Sequence, residues 1–472
     1  MVLGYIGRFF MKSFTDKLTK EKIYEYRVDD SGDFADAQSE VSGKDVKIIV
    51  NMRKCGNVFR RGLNVKSAEG NFASINLGYP HCFKCIDKTG AEHDYVFGLN
   101  AENKLAFYDF TSAGTFVGTL SDVTLTKPPI FIDYNYDGQN YLLINCGEKG
   151  FYVYDNEFTK LASNPMVTGA VIYDGKLFAC SSDNYPRVRY CAMFNPKTWS
   201  GSQTSLYVYN ECGMVRGLVN LKNYIYVFQD NGISRISKAD SENYTVTKIC
   251  ETGEKAYGNT VRCSGDAAWF FTSRGLYRFD GSKLENKSDF LGSAFIGGEQ
   301  SAIVGFHGKT YVATRLVFPS DVYSEQDEDY AGNNALIVFG EDKAEVYCGY
   351  KIKSFCPLYE QDKLILAMDD GSMNILSEND FSVNQGDKAV YELNESDFGY
   401  AGNKCVKAVD FMHEGAVTAE LCADGKKYLR SFDTGNSARR ILFNAPGRKF
   451  SLRIISDGKA LSSPVIYYSE EN

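Results

Sequence analysis

The chain has 472 residues, with 52 Lys and Arg against 60 Asp and Glu, giving a formal charge of −8. This length can bury a large core and has room for two or three domains, while the acidity excludes a nucleic-acid binder that works by overall charge. No apolar run is long enough to span a bilayer, and thirteen cysteines, an odd number scattered over the whole length, exclude a paired disulfide framework.

The opening MVLGYIGRFFMKSF is too short and too polar for a secretory signal, and Met11 offers a second start, so a protein made in a cytoplasm is expected. An amphipathic stretch near Phe14 to Tyr26 reads as helical, Asp29 to Gly43 is polar and acidic, and Val46 to Met52 reads as a strand. Residues 1–85 are therefore expected to be an arm or accessory region. Its basic clusters, Lys12 to Lys22 and Arg53 to Arg61, read as solvated faces or contacts to an acidic protein neighbour.

A hairpin then returns with changing residues and a constant shape. Asn140 to Asp155 reads NYLLINCGEKGFYVYD and Ala268 to Asp280 reads AWFFTSRGLYRFD: an aromatic, β-branched strand, a polar turn and a second alternating strand. Its copies start at Tyr95, Tyr141, Leu177, Tyr224, Ala268, Tyr311 and Leu364, with a weaker eighth at Tyr428; the steps are 46, 36, 47, 44, 43, 53 and 64 residues. A period of about 40 to 50 residues predicts an all-β fold, a β-propeller of about seven or eight blades, over residues 86–435. A large β-sandwich, or two smaller β domains, would give similar strands without the regular step. Residues 436–472 read as a last antiparallel segment closing or flanking the ring.

Chemistry is sparse. Cys82 and Cys85 form a CxxC beside His81 with no second pair at zinc spacing, so buried thiols are expected there. Asp133 to Gly138, DYNYDG, matches only the first half of a calcium loop and reads as an Asp-Gly turn between blades. No Ser-His-Asp spacing, HExxH, phosphate loop, dinucleotide fingerprint or sialidase aspartate box is present. The expectation is a protein that is not an enzyme, with no cofactor and no metal. Phe318 to Asn334 is a long acidic insertion, and Asp327, Glu328, Asp329 and Tyr330 within it are the candidate partner-contact loop.

Arg187 to Ser200 reads RVRYCAMFNPKTWS, a strand leading into a Pro-x-x-Trp turn. Arg187, Val188, Tyr190, Asn195, Pro196 and Trp199 resemble a phrase of the β-propeller tail hub or nozzle proteins of short-tailed bacteriophages, also described as packaged-DNA stabilization proteins. GFYVYD from Gly150, DGKLF from Asp174, RRGL from Arg60 and the closing GRKFSLRIISDGKALSSPVIYY resemble them in style, over roughly Arg60 to Tyr468. The many cysteines and the acidic insertion depart from the pattern.

The resemblance implies a structural virion protein, assembled in the host bacterial cytoplasm and used in the tail. It would be a homo-oligomeric ring, of six copies by analogy, continuing the DNA channel below portal and adaptor. An acidic wall lets double-stranded DNA pass without tight binding. The alternatives are a cellular propeller scaffold for protein–protein interaction and a carbohydrate-binding or glycoside-processing propeller. Fold alone does not choose among them.

Overall fold

The computed structural model describes residues 13–15, 22–27, 46–55, 58–67, 76–110, 115–125, 128–136, 138–146, 151–161, 167–181, 186–199, 205–240, 243–320, 322–323, 330–340, 344–377, 388–432, 436–458 and 460–471. Strands dominate. The helical pieces among the described residues are short 3-10 turns such as Asn210–Cys212 and Tyr359–Gln361.

Six self-contained, four-stranded antiparallel sheets account for most of the middle of the chain. Five follow one another at residues 78–124, 130–161, 167–207, 215–250 and 262–286. The sixth, the closing sheet, holds Ile352–Leu358, Lys363–Met368 and Met373–Ser377 and takes its outer strand, Asn64–Ser67, from far upstream. Between the fifth and the closing sheet lie Phe295–Phe306, Lys309–Leu316, Ala335–Phe339 and Ala344–Cys348. They form a further antiparallel run of four that continues into a nine-stranded sheet.

These sheets are apolar on both faces and bury each face against the next. Ala267–Thr272 shows why its sequence is an unbroken apolar run: Ala268 and Phe270 face Val219, Tyr226 and Phe228 of the fourth sheet. Trp269 and Phe271 face Ile303, Val312 and Ile337 of the continued run. Phe83, Phe97 and Phe107 likewise pack on Leu142, Ile144 and Tyr154, with Phe97 and Phe107 stacked at 4.7 Å. Each such ring is worth about 1.5–3 kcal/mol on burial. The chain of interfaces returns on itself, because Cys356, Ile365 and Met373 of the closing sheet pack on Val96, Ala106 and Phe110 of the first. A cycle of four-stranded sheets packed face to face is a β-propeller.

The seven regular hairpin markers each fall on the second strand of a run, so the repeat seen in the sequence is the middle pair of four strands. The expected seven or eight separate blades become six separate sheets. The run around Tyr311 does not end at its outer strand, because Val46–Val50 joins its edge (Val50 beside Val346) and links it to Ala389–Leu393. Tyr428 lies in Lys426–Phe432, the far edge of the same nine-stranded sheet and outside the ring.

The far end of that nine-stranded sheet, Ala389–Leu393, Phe450–Ser456, Val417–Ala423 and Lys426–Phe432, faces an eight-stranded sheet. The latter joins Ser13–Thr15, Lys22–Arg27, Val465–Glu470, Lys404–Glu414, Ala460–Ser462, Val58–Arg61 and Met52–Cys55, with Asn436–Gly447 on Lys404–Glu414. Their shared core holds Met52, Phe59, Tyr391, Phe411, Leu421, Leu452 and Tyr468. Three expectations are thereby corrected. The helix near Phe14 to Tyr26 is replaced, where described, by strands, since Lys22–Arg27 pairs with Val465–Glu470. The described strands of the first 61 residues belong to a core built with the chain's last third, not to a free arm. The ring's strands end at Ser377 rather than near residue 435, because Lys404–Glu414 and Val417–Ala423 find their partners in the C-terminal strands.

One buried residue stitches the two regions together. Asn51 adopts a left-handed backbone (φ 60°), its N–H donates to Val346 O at 2.9 Å, and its side-chain oxygen accepts from Cys348 N at 2.9 Å. Its Nδ2 donates to Lys388 O at 2.8 Å and approaches Cys348 Sγ at 3.0 Å. Arg60 to Leu63, the RRGL passage, carries the chain from the eight-stranded sheet into the ring, with Arg61 buried and donating to Ser456 O at 3.2 Å.

Candidate binding channel

The first strand of each run in the ring lines a central cavity of about 970 Å³. Pro80, Ile130, Ala170, Leu218, Val261, Ile303 and Phe355 give it apolar wall from every run in the cycle. Close approach of the strands requires glycine at two positions. A Cβ on Gly258 would lie 2.1 Å from Arg216 O, and one on Gly217 would lie 2.8 Å from Val261.

Charged and phenolic side chains interrupt this wall. Arg216 donates through Nε to Asp230 Oδ1 at 2.7 Å, and Asp230 Oδ2 accepts from Met214 N at 2.9 Å. Burial works against the Asp230 carboxylate, but Arg216 and the Met214 N–H outweigh it and hold its pKa below the usual range. Tyr330 donates to Asp369 at 3.0 Å, and Lys351 sits over the Tyr330 ring at 5.2 Å. Lys353 lies over the Tyr79 ring at 5.1 Å, and burial followed by the Asp369 charge raises the Tyr79 phenol. His81 Nε2 lies 2.8 Å from Asp133 Oδ1, its ring stacked on Phe131.

Arg262 is different. Its Nη1 donates to the neighbouring Val261 O at 2.8 Å, and among the described residues it has no ion-pair partner. Solvent in the channel reaches the side chain, yet the surrounding walls depress the guanidinium from its ordinary value by burial. Cys263 beside it is exposed and lines the same cavity.

The residues singled out in the sequence lie elsewhere, with one exception. Tyr330 of the acidic insertion lines the channel, while Asp327, Glu328 and Asp329 lie outside the described residues. Arg187, Val188 and Tyr190 belong to the third strand of the third sheet, with Val188 buried against the fourth sheet. Asn195 Oδ1 accepts from Lys197 N at 3.1 Å, Pro196 is buried, and the Trp199 indole donates to Pro196 O at 2.6 Å. Trp199 packs with Tyr134 and Val153 of the second sheet, and Lys197 reaches Asp155 there at 2.5 Å. This turn is a latch between two sheets.

Cys82 and Cys85 point to opposite faces of Gly78–Ile86, as an odd separation on a strand demands, so one packs with Cys356 and the other with Phe83. Burial, and after it Asp87, pushes the Cys85 thiol up to about 11. Eight of the thirteen cysteines are buried, and none is bonded to another. Among the described residues no group of three His, Cys, Asp or Glu could hold a metal ion. Tyr136 pairs with Gln139 within the second sheet, so the Asp-Gly passage, of which Asp137 lies outside the described residues, joins two strands of one sheet rather than two blades.

The channel residues escaped notice because they sit in the first strand of each run, ahead of the hairpin that carries the repeat. The only signal was faint: Arg216 and Arg262 each follow a valine, but the register sets Arg262 opposite Trp269 and Arg216 beside the Val215–Gln229 pair, so the two are not equivalent positions.

No family model matches the chain, and no curated protein matches its sequence. Among solved structures the N-terminal domain of Nup159 is similar at a TM-score of 0.41 and 10% identity, over 71% of this chain and 99% of that one. BBS1N, solved in complex with ARL6DN, is similar at 0.42 and 10%, over 67% of this chain and 98% of that one. No helix among the described residues is long and apolar enough to cross a membrane.

Proposed function

We propose that this protein is a non-enzymatic β-propeller scaffold for protein–protein interaction. The observation that carries the reading is the shared nine-stranded sheet, which ties the ring to a sandwich made from both ends of the chain and yields one stiff, two-lobed block. Such a block presents several surfaces at fixed angles, and fixed geometry is what a scaffold supplies. We count the continued run as a seventh blade whose outer edge has been extended. Cross-linking mass spectrometry on the native assembly tests the reading. Links from partner proteins clustered on one lobe are expected, and a map holding only links within the chain overturns it.

A second reading, the tail hub of a short-tailed phage, is favoured by the resemblance at Arg187 to Trp199. In that reading, copies form a ring with portal, adaptor and other tail proteins, sit in the virion tail, and let double-stranded DNA pass. Portal and terminase genes beside this one would support it. Nanomolar binding of duplex DNA by the isolated chain near physiological salt would rule out a slippery conduit.

A further inference from the structure

Arg216 and Arg262 both line the channel, from the fourth and the fifth sheet. The fourth sheet answers its arginine with Asp230, which follows Phe228 and Gln229. The fifth sheet sets Arg262 opposite Trp269, in the apolar strand Ala267–Thr272, which offers no carboxylate. One arginine is thus neutralised from within, while the other keeps a charge with no carboxylate beside it among the described residues. A channel cation with no carboxylate of its own is free to take its counter-charge from an anion arriving from outside.

We propose that the central channel binds a small anionic ligand, bearing a carboxylate or phosphate, whose charge is taken by the Arg262 guanidinium. The cavity, about 970 Å³, is of the size that takes a small organic molecule. Val261 and Ile303 supply apolar wall on its sides. Carbonyl acceptance uses one edge of the guanidinium and leaves the remaining N–H groups for a two-point contact to two anionic oxygens. The channel is open to solvent at Arg262, so an arriving anion can reach the guanidinium.

The test uses the full chain. Inorganic phosphate and, separately, glutarate are titrated in by calorimetry at low ionic strength, into the wild type, Arg262→Gln and Arg262→Lys. One-to-one binding of at least one anion is expected, weakened about tenfold or more by Arg262→Gln and less by Arg262→Lys. Phosphate alone binding assigns a phosphate ligand, and glutarate alone a carboxylate. Cys263 gives a readout that needs no variant: the anion that binds should slow its alkylation by iodoacetamide severalfold, read peptide by peptide. The proposal is overturned if neither anion binds at millimolar concentration, if folded Arg262→Gln binds as well as the wild type, or if a saturating anion leaves Cys263 alkylation unchanged.

Discussion

The ring and the sandwich are both antiparallel β-structure, and they are assembled by opposite means. In the ring most strands pair with their neighbours in the chain, as Tyr224–Gln229 does with Ile233–Lys238, the exception being Asn64–Ser67 on the closing sheet. In the sandwich the partners lie at opposite ends of the sequence: Tyr24 faces Tyr468, and Arg60 faces Ala460. Local pairing costs little loop entropy, whereas bringing the two ends together costs more and is repaid only when the whole core forms. The sandwich should therefore be the less independent of the two.

Paired core truncations give the largest expected effect and test this contrast directly. Phe97→Ala in the ring and Tyr391→Ala in the sandwich each remove a large, buried ring, at a cost of about 3–5 kcal/mol. Calorimetry should show Tyr391→Ala melting the sandwich early while the ring's transition stays in place. Phe97→Ala should bring both down. A single transition shifted equally by the two variants would erase the distinction.

Asn51→Ala comes next. It removes the bonds to Lys388 O and Cys348 N at the seam and sets a Cβ residue without a polar side chain at φ 60°, for a total of about 2–4 kcal/mol. Asn51→Gly keeps the backbone relaxed and loses only the side-chain bonds. If the seam couples the lobes, both variants should widen the gap between the two melting transitions, and Asn51→Ala should widen it further. An unchanged gap would show that the coupling lies elsewhere.

The same contrast explains what could be read in the sequence. A period of 36 to 53 residues with Tyr, Leu or Ala at the strand starts reveals the ring, since each unit repeats the same local physics. The sandwich has no period, and nothing local in KIYEYR says that its partner is VIYYSE more than 400 residues later. Its strand at Lys22–Arg27 even looks helical, because tertiary pairing overrides a weak amphipathic pattern. The Trp199 turn was legible as a motif but not as a latch, because its partners, Asp155 and Val153, come from the preceding sheet. The channel was the least legible part: a lone Arg262 in a strand means little until six other strands surround it.

Trp199→Phe probes that latch at a smaller scale. Phenylalanine keeps most of the buried ring but cannot donate to Pro196 O, so a loss of about 1–2 kcal/mol is expected, from the missing bond and the narrower ring. Hydrogen exchange should localise it to the second and third sheets. Loosening that reached the sandwich instead would mean that the ring transmits local damage around its circumference.

The smallest expected effect is a pH dependence confined to the ring. His93 bonds Asp109 Oδ2 through Nδ1 at 2.6 Å and approaches Asp87 Oδ2 through Nε2 at 3.3 Å. The bond to Asp109, against some opposing burial and with help from Asp87, raises the imidazole pKa above its ordinary 6.5. A raised folded-state value means that the folded chain holds this proton more tightly than the unfolded one. The resulting stabilisation is fully present below pH 6.5 and fades as pH climbs through the folded value. Because the group is partly exposed, the gain should stay below about 1 kcal/mol. Urea midpoints for the wild type should therefore be higher at pH 5.5 than at pH 8.5 by a margin that His93→Gln abolishes. Since His93 lies in the first sheet of the ring, paired with Cys85, the margin should appear in the ring's transition alone, and an equal shift in both lobes would show that the ring and the sandwich unfold as one.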